Sequence, residues 1–267
     1  MNFSFGKYHG TGNDFIIIDN RAGHFPKDRA VIEQCCHRHY GIGADGLILI
    51  SGHTDVDFEM EYYNADGRIG SMCGNGGRCA VIFARKAGLC GQVVRFLAFD
   101  GLHTAEINAT GEVKLSMADV THVDKDDRGY ILDTGSPHLV RFVGDTAIIN
   151  VQEDGSRIRY SDAYREKGIN VNFASRLSGI YTMRTYERGV EAETLSCGTG
   201  TVAVAIAASC LSGAMEPWQQ YMIKAPGGTL KVYFERRSRH HFTSVFLEGP
   251  ARHVFDGNYF MEPANLR

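Results

Sequence analysis

Long apolar runs, one-sided charge and metal-binding cysteine spacings are all missing from this chain of 267 residues. The longest apolar stretch, around Val202 to Leu211, falls far short of the roughly 20 residues a membrane-crossing helix needs. Lysine and arginine number 28 against 31 aspartates and glutamates, a net charge of −3. Such a balance offers no electrostatic reason to expect nucleic acid or an anionic membrane as partner. The opening "MNFSFGKYHG" has neither a basic start followed by an apolar block nor an Arg/Ser-rich amphipathic character, so no targeting segment is expected. Seven cysteines form no dense framework, and with no secretory signal they point to reduced thiols and a cytoplasmic protein. No CxxC pair or closely spaced histidine accompanies the cysteines at 73 and 197, which argues against zinc. The GxxxxGK[ST] phosphate loop is absent. So is a GxGxxG turn following a strand with an acidic residue about 20 positions on, which leaves a dinucleotide cofactor without support.

What is present comes twice. "SMCGNGGRCAV" (71–81) and "LSCGTGTVAVAIA" (195–207) each set a cysteine before a glycine turn that runs into an apolar segment. Cys73 and Cys197 stand 124 residues apart, and the same offset carries Tyr62 onto Tyr186, Gly74 onto Gly198, Gly76 onto Gly200 and Ala84 onto Ala208. A repeat near half the chain length indicates duplication of a domain, since solenoid repeats are much shorter. The polar stretch "SMADVTHVDKDDRG" (116–129) suggests the boundary, giving domains 1–118 and 119–267. Short β-branched or alternating runs closed by Gly, Asn or Asp read as strands, among them "RAGHF", "ADGLILISG", "VVRFLAFDG", "IYTMRTYERG" and "TLKVYFERR". "RCAVIFARKAG" and "TVAVAIAASCLSG" read as helices ending at glycine, the second apolar on every face and therefore buried all round. The expected fold is α/β of the α+β type: two pseudo-symmetric domains, each a mixed, mostly antiparallel sheet wrapped around a central helix.

Helices that start at the glycines put Cys73 and Cys197 at helix N-termini. There, unpaired backbone N–H groups and the positive end of the macrodipole favour anions, lowering a thiol pKa and offering a seat to a carboxylate. Taken singly, a cysteine is more often a small buried hydrophobe. The matched context reverses that for Cys73 and Cys197 and leaves it standing for Cys35, Cys36, Cys79, Cys90 and Cys210. Two thiols presented twice over suit inversion of a carbon next to a carboxylate, where one group removes the α-proton and the other returns one to the opposite face.

Taken in order, "HGTGNDF" (9–15), "GIGADG" (41–46), "NADG…CGNGGRC" (64–79), "SPH" (136–138), "INVNF" (169–173) and "ERGVEAETLSCGTGT" (187–201) resemble diaminopimelate epimerase over nearly the whole chain. The resemblance implies interconversion of L,L- and meso-diaminopimelate, without pyridoxal phosphate or other cofactor, on the route to lysine and peptidoglycan precursors. It implies Cys73 and Cys197 as the acid/base pair, and the backbone amides of Gly74, Asn75, Gly198 and Thr199 as the seat of the reacting carboxylate. Asn13, Asn64, Asn170, Glu187 and Arg188 would read the remaining groups, with Arg188 forked onto the distal carboxylate and Glu187 on the distal ammonium. Without the resemblance, Asn64 reads equally as a turn residue and the Glu187/Arg188 pair as a surface ion pair. A small-molecule substrate and, as an assembly, a homodimer are the implied partners, with no nucleic acid and no membrane. Many family members carry Gln at the place of Gly46 and Asn-Pro-His at Ser136-Pro137-His138, so no contact carries over for residues 46 and 136. His138 either tunes a thiol or completes a hydrogen-bonded turn. The competing functions are a proline- or hydroxyproline-type two-thiol racemase, too small a substrate to need an Arg/Glu pair, and a binding or thiol-redox module without turnover.

Overall fold

The computed structural model describes residues 2–177 and 179–261, and the chain divides into two compact units. One takes the chain up to Leu115 and again from Pro250; the other takes Ser116–Gly249.

The first unit runs β1 (Asn2–Gly10), β2 (Asn13–Asp19), α1 (Arg29–Cys36), β3 (Gly46–Ser51), β4 (Phe58–Asn64), α2 (Gly74–Lys86), β5 (Val93–Ala98), β6 (Gly101–Ile107) and β7 (Val113–Ser116), and is completed by β17 (Arg252–Phe260). Its strands lie in the order β17-β1-β2-β3-β4-β5-β6-β7, with β2–β3 and β4–β5 parallel and the rest antiparallel. Phe15–Ile18 and Leu47–Ile50 are buried at every position, as strands covered on both faces must be. The period of two sorts them. Ile16, Ile18, Leu47 and Leu49 pack with Val31, Ile32, Cys35 and Cys36 of α1. Phe15 and Ile48 face the other way and reach the first turn of α2 at Gly76.

The second unit repeats the plan with β8 (Val123–Lys125), β9 (Tyr130–Asp133), β10 (Pro137–Phe142), α3 (Val151–Arg159), β11 (Asn170–Leu177), β12 (Ile180–Glu187), β13 (Ala192–Thr194), α4 (Gly198–Ser212), β14 (Trp218–Ala225), β15 (Gly228–Arg236) and β16 (Phe242–Gly249). The order is β8-β9-β10-β11-β12-β14-β15-β16, again parallel at the third and fifth pairings, with β13 added to β12. The central helix α4 is buried from Val202 to Ser209, touches β9 to β12 and β14 to β16, and shows no charge anywhere along its length. Its C-terminus ends at Gly213 in the left-handed region (φ 69°) and is held by Arg236 of β15. That guanidinium donates to the Ser209 carbonyl and hydroxyl at 3.1 Å and to the Ala214 carbonyl, a cation on the negative end of the helix.

The architecture matches the expected pair of pseudo-symmetric domains, each sheet wrapped around one helix. Three details differ. The division near residue 118 is close to the structural one, but the chain beyond Gly249 belongs with the first unit instead of completing 119–267: β17 pairs antiparallel with β1 and fills the place that β8 fills beside β9. "RAGHF" is a turn, because the Asn20 side-chain oxygen accepts from the Phe25 amide at 3.0 Å and its carbonyl accepts from Gly23. Tyr62 and Tyr186 are not counterparts. In the ladders Ile48 pairs with Tyr62 and Asn172 with Thr185, and Ile48 and Asn172 are the residues that face the glycine turns at Gly76 and Gly200. Tyr62 thus corresponds to Thr185 and lies on the central-helix side, while Tyr186 packs on the α3 side.

Candidate active site

Both central helices start at a cysteine. Cys73 (φ −106°, ψ 115°) and Cys197 (φ −118°, ψ 115°) are the N-cap residues of α2 and α4, in extended backbone just before the first helical turn. Their carbonyls accept from Gly77 at 2.7 Å and Thr201 at 2.9 Å. Their sulfurs do what a serine or aspartate cap does, each accepting the amide three residues on, Gly76 and Gly200, at 3.4 Å. The next two amides at each mouth, those of Gly74 and Asn75 and of Gly198 and Thr199, lie ahead of any intrahelical acceptor and form the positive end of the helix. Gly200 is required by close approach: a Cβ there would stand 2.5 Å from Asn172 Oδ1 and 3.3 Å from Cys197 Sγ.

In the first unit the half-buried Cys73 thiol stands 3.6 Å from Asn13 Oδ1, which also accepts from Asn75 Nδ2 at 3.3 Å. The Asn13 amide cannot be turned round, because its Nδ2 faces Asp45 Oδ2 at 2.8 Å and a carboxylate only accepts. Asp45 is held in turn by Arg38 at 2.6 Å, and Arg38 and Lys7 both grip Asp14. Burial alone would raise the Asp14 carboxyl, but hydrogen bonds from Arg38 and Lys7 outweigh it and bring it down to about 2. Asn13 therefore shows the thiol an acceptor.

Behind the mouth lies Arg78, fully buried, its guanidinium donating to the Gly74 carbonyl at 3.1 Å and to Asn75 Oδ1 at 2.8 Å, with Nε left unpartnered. Among the described residues no carboxylate pairs with it. Burial pushes it down to about 10, opposed by attraction to Cys79, Cys73 and Glu112. A buried cation without a carboxylate is costly unless negative charge collects nearby. Asn64, at the exposed end of β4, joins this group through Tyr62, whose hydroxyl donates to Asn64 Oδ1 at 3.1 Å.

In the second unit a hydroxyl, not an amide oxygen, stands beside the sulfur. Asn172 Nδ2 faces the Leu139 carbonyl at 3.1 Å, so that atom is the donor, and its other neighbour, His138 Nδ1 at 3.1 Å, accepts. The His138 proton then sits on Nε2 and is donated to Thr199 Oγ1 at 2.9 Å. The Thr199 hydroxyl, 3.5 Å from Cys197 Sγ, keeps its own hydrogen and a second lone pair, so it can donate to a thiolate there or accept from a thiol. Thr185 donates to Asn172 Oδ1 and Thr134 to the Thr199 carbonyl, both at 2.9 Å, fixing the chain at both ends. Burial, with Arg188's charge adding to it, pushes His138 down to about 3, so the imidazole is neutral. Of the two readings of His138, contact with a thiol through Thr199 is the one the geometry favours.

Asn170, Glu187 and Arg188 gather one strand away. Asn170 Nδ2 donates to Ser136 Oγ at 2.9 Å and its Oδ1 accepts from the Arg188 amide at 2.9 Å. The exposed Arg188 guanidinium donates to the Lys167 carbonyl at 3.1 Å and lies 3.4 Å from Ser136 Oγ. Its stem crosses Gly168, where a Cβ would come 2.5 Å from Arg188 Cδ. Glu187 Oε2 accepts from Thr194 at 2.7 Å. Ser136 thus bridges Asn170 and Arg188. The remaining cysteines are packing residues: Cys35, Cys36 and Cys79 are buried, and burial pushes Cys35 and Cys36 up to about 12 and Cys90 to about 11. Sequence reasoning missed Arg78, Asn172, Thr185 and Tyr62. An arginine at the start of the apolar stretch of α2, and a second asparagine two residues after Asn170 on one strand face, were the signals for the first two.

A family model described as diaminopimelate epimerase matches residues 5–123 and 130–254. The chain is 47% identical over 252 residues to the diaminopimelate epimerase of Flavobacterium psychrophilum, covering 94% of this chain and 97% of that one. It is 41% identical to that of Chlorobaculum tepidum, with 93% and 98% covered. Among solved structures, a phenazine biosynthesis protein of the PhzF family from Bacillus anthracis superposes with a TM-score of 0.75 at 14% identity, over 98% of this chain and 100% of that one. A hydroxyproline epimerase from Agrobacterium vitis superposes with 0.69 at 14% identity, over 99% and 94%. At such identity these two speak for the fold alone.

The neutral, buried His138 makes a stability prediction with a definite sign. An exposed histidine in the unfolded chain takes up a proton near pH 6.5, whereas His138 in the folded protein refuses one until about pH 3. The contribution is present above pH 6.5 and is lost as the pH falls below it, at up to about 1.4 kcal/mol per pH unit. Urea unfolding at steps between pH 7 and pH 4 should therefore show a shallower acid loss for His138→Gln than for the parent. Equal slopes would mean that His138 is protonated inside the protein.

Proposed function

This chain belongs to the diaminopimelate epimerase family, and from that membership we infer that it interconverts L,L- and meso-diaminopimelate by moving a proton off one face of the α-carbon and onto the other. The observation that carries the reading is the pair of sulfur-capped helix mouths at Cys73 and Cys197. Each offers an ionisable thiol beside backbone amides suited to the reacting carboxylate: Gly74 and Asn75 at one, Gly198 and Thr199 at the other. Carboxylate binding there removes the charge that most opposes loss of the α-proton, and a positioned thiolate takes it.

A reversible reaction needs each sulfur to exist in both protonation states, and the surroundings support this. The acceptor Asn13 favours the thiol at Cys73 while the buried Arg78 favours its thiolate. At Cys197 the Thr199 hydroxyl can bond to thiolate or thiol, and the neutral His138 behind it adds no charge that would lock one form. One sulfur, as thiolate, accepts the α-proton and the other, as thiol, delivers one to the opposite face, so the reading requires no cofactor. Asn13, Asn64, Asn170, Glu187 and Arg188 read the rest of the substrate, with Arg188 on the distal carboxylate and Glu187 on the distal ammonium. Such an activity would feed lysine and peptidoglycan precursors in the cytoplasm, an assignment supported by seven free cysteines. No helix among the described residues is long and apolar enough to cross a membrane. A homodimer, as the resemblance implies, is read directly by light scattering in solution.

In heavy water the enzyme should wash deuterium into the α-position of diaminopimelate, and Cys73→Ala or Cys197→Ala should each slow epimerisation by about 10²–10⁴-fold or more, as for a positioned acid/base group. Near-parental turnover in either variant removes that cysteine from the chemistry. Arg188→Lys keeps the charge and loses the planar fork, so it should weaken use of diaminopimelate and reduce its preference over an analogue lacking the distal carboxylate. Parental behaviour on both compounds would place distal recognition on another residue.

A further inference from the structure

Residue 46 and its counterpart in the second unit differ in kind. In the β2–β3–β4 ladder Gly46 pairs with Phe15 and with Asn64; in the β10–β11–β12 ladder Asn170 pairs with His138 and, one step beyond the Val171–Tyr186 pair, stands across from Glu187. Gly46 thus corresponds to Asn170 and Asn64 to Glu187. The second unit has an amide at this point, bonded to Ser136 and to the Arg188 backbone. The first unit has no side chain there at all.

The space is occupied all the same. The ring of Tyr62 lies over Gly46, so that a Cβ on residue 46 would stand 2.5 Å from Tyr62 Cε2 and 3.1 Å from the phenol oxygen, with the Tyr63 carbonyl oxygen closing the space at 2.6 Å. On its other side a Cβ on Gly70 would stand 2.5 Å from Cδ1 and 2.6 Å from Cε1. The ring passes between two glycines, with Phe15 edge-on at 6.0 Å, and Phe15 itself touches the turn at Gly76 that caps on Cys73. The hydroxyl donates to Asn64 Oδ1, which leaves the Asn64 amide nitrogen, on the Gly70 side, with both hydrogens to give.

Resting on the epimerase reading above, we propose that Tyr62 is a positioning residue of the first unit: its hydroxyl takes the place of a polar side chain at position 46 and holds Asn64 with its Nδ2 donors toward the substrate. The two glycines are then part of the same device, since neither position tolerates a side chain while the ring is in place. Asn64 is exposed and makes no other side-chain hydrogen bond among the described residues, so without the phenol its amide would turn freely.

The test is steady-state kinetics on diaminopimelate together with a double-mutant cycle. Tyr62→Phe keeps the ring and should raise KM by roughly 3- to 10-fold, the loss of about one net hydrogen bond, with the effect falling on KM and not on kcat. In a cycle of Tyr62→Phe with Asn64→Ala, the loss caused by Tyr62→Phe should vanish once the Asn64 amide is gone, because the phenol acts through it. A purely structural ring would give additive effects and no KM-specific loss in Tyr62→Phe. Tyr62→Phe with the parental KM, or additive effects in the cycle, overturns the proposal. A parent enzyme that leaves the α-hydrogen of diaminopimelate unexchanged in heavy water overturns the epimerase reading itself, and this inference with it.

Discussion

The bond on which the rest depends is the weak one from a backbone amide to a capping sulfur, Gly76 to Cys73 and Gly200 to Cys197, each 3.4 Å long. Serine or aspartate would cap these helices at least as well. A cysteine adds what they lack: unlike a serine hydroxyl it ionises within reach of neutrality, and its thiolate is a stronger base than a carboxylate. Cysteine at this one position makes the same atom the start of a buried helix and a titratable group in the field of that helix. The helix must then be held rigidly. For α4 this comes from burial on all sides and from Arg236 at the far end, so that cation and macrodipole are aligned along its length.

Two copies of one ladder, with the same parallel pairings at the same places, have been filled differently. Ile48 faces one glycine turn and Asn172 the other; Phe15 stands where His138 stands; Arg78 sits one turn into α2, where α4 has Val202. The first mouth is therefore an apolar-walled site with a buried cation behind it, and the second a chain of neutral hydrogen bonds. Identical backbones give identical placement of the sulfurs relative to their own helices, and unlike side chains give each sulfur its own proton affinity.

Much of this was legible before any coordinates. The glycine–cysteine turns marked both helix mouths, although the helices begin at Gly74 and Gly198, inside the glycine turns and ahead of the segments read as helical, and the apolar faces of "TVAVAIAA" called for burial all round. The outer helices α1 and α3 were not read, although Asn150 followed by Glu153 is a capping pair, with the Asn150 oxygen accepting from the Glu153 amide at 3.3 Å. They were hidden because each is short and presents only two or four buried residues. The return of β17 to β1 was not legible either: its exposed, alternating residues carry a strand signal but nothing that says which edge the strand will join. Tyr62 and Tyr186 show the limit of a constant offset. Strands shifted by a single residue present opposite faces, so a register that holds through the helices can fail one element away.

The donor and acceptor arrangement at the two sulfurs bears on why the duplication was kept and then broken. An epimerase must run the same step in both directions, so neither thiol can be strongly committed to one protonation state. Asn13, locked by Asp45, offers the Cys73 thiol an acceptor, and Thr199, held through His138 and Asn172, stands ready to give or take a hydrogen at Cys197. The buried Arg78 opposes the first preference from behind its helix mouth. A neutral His138 is essential to that balance. Were the imidazole charged, it would add a full positive charge two bonds from Cys197 and hold that sulfur as a thiolate too stable to act as a base, which is what its complete burial prevents.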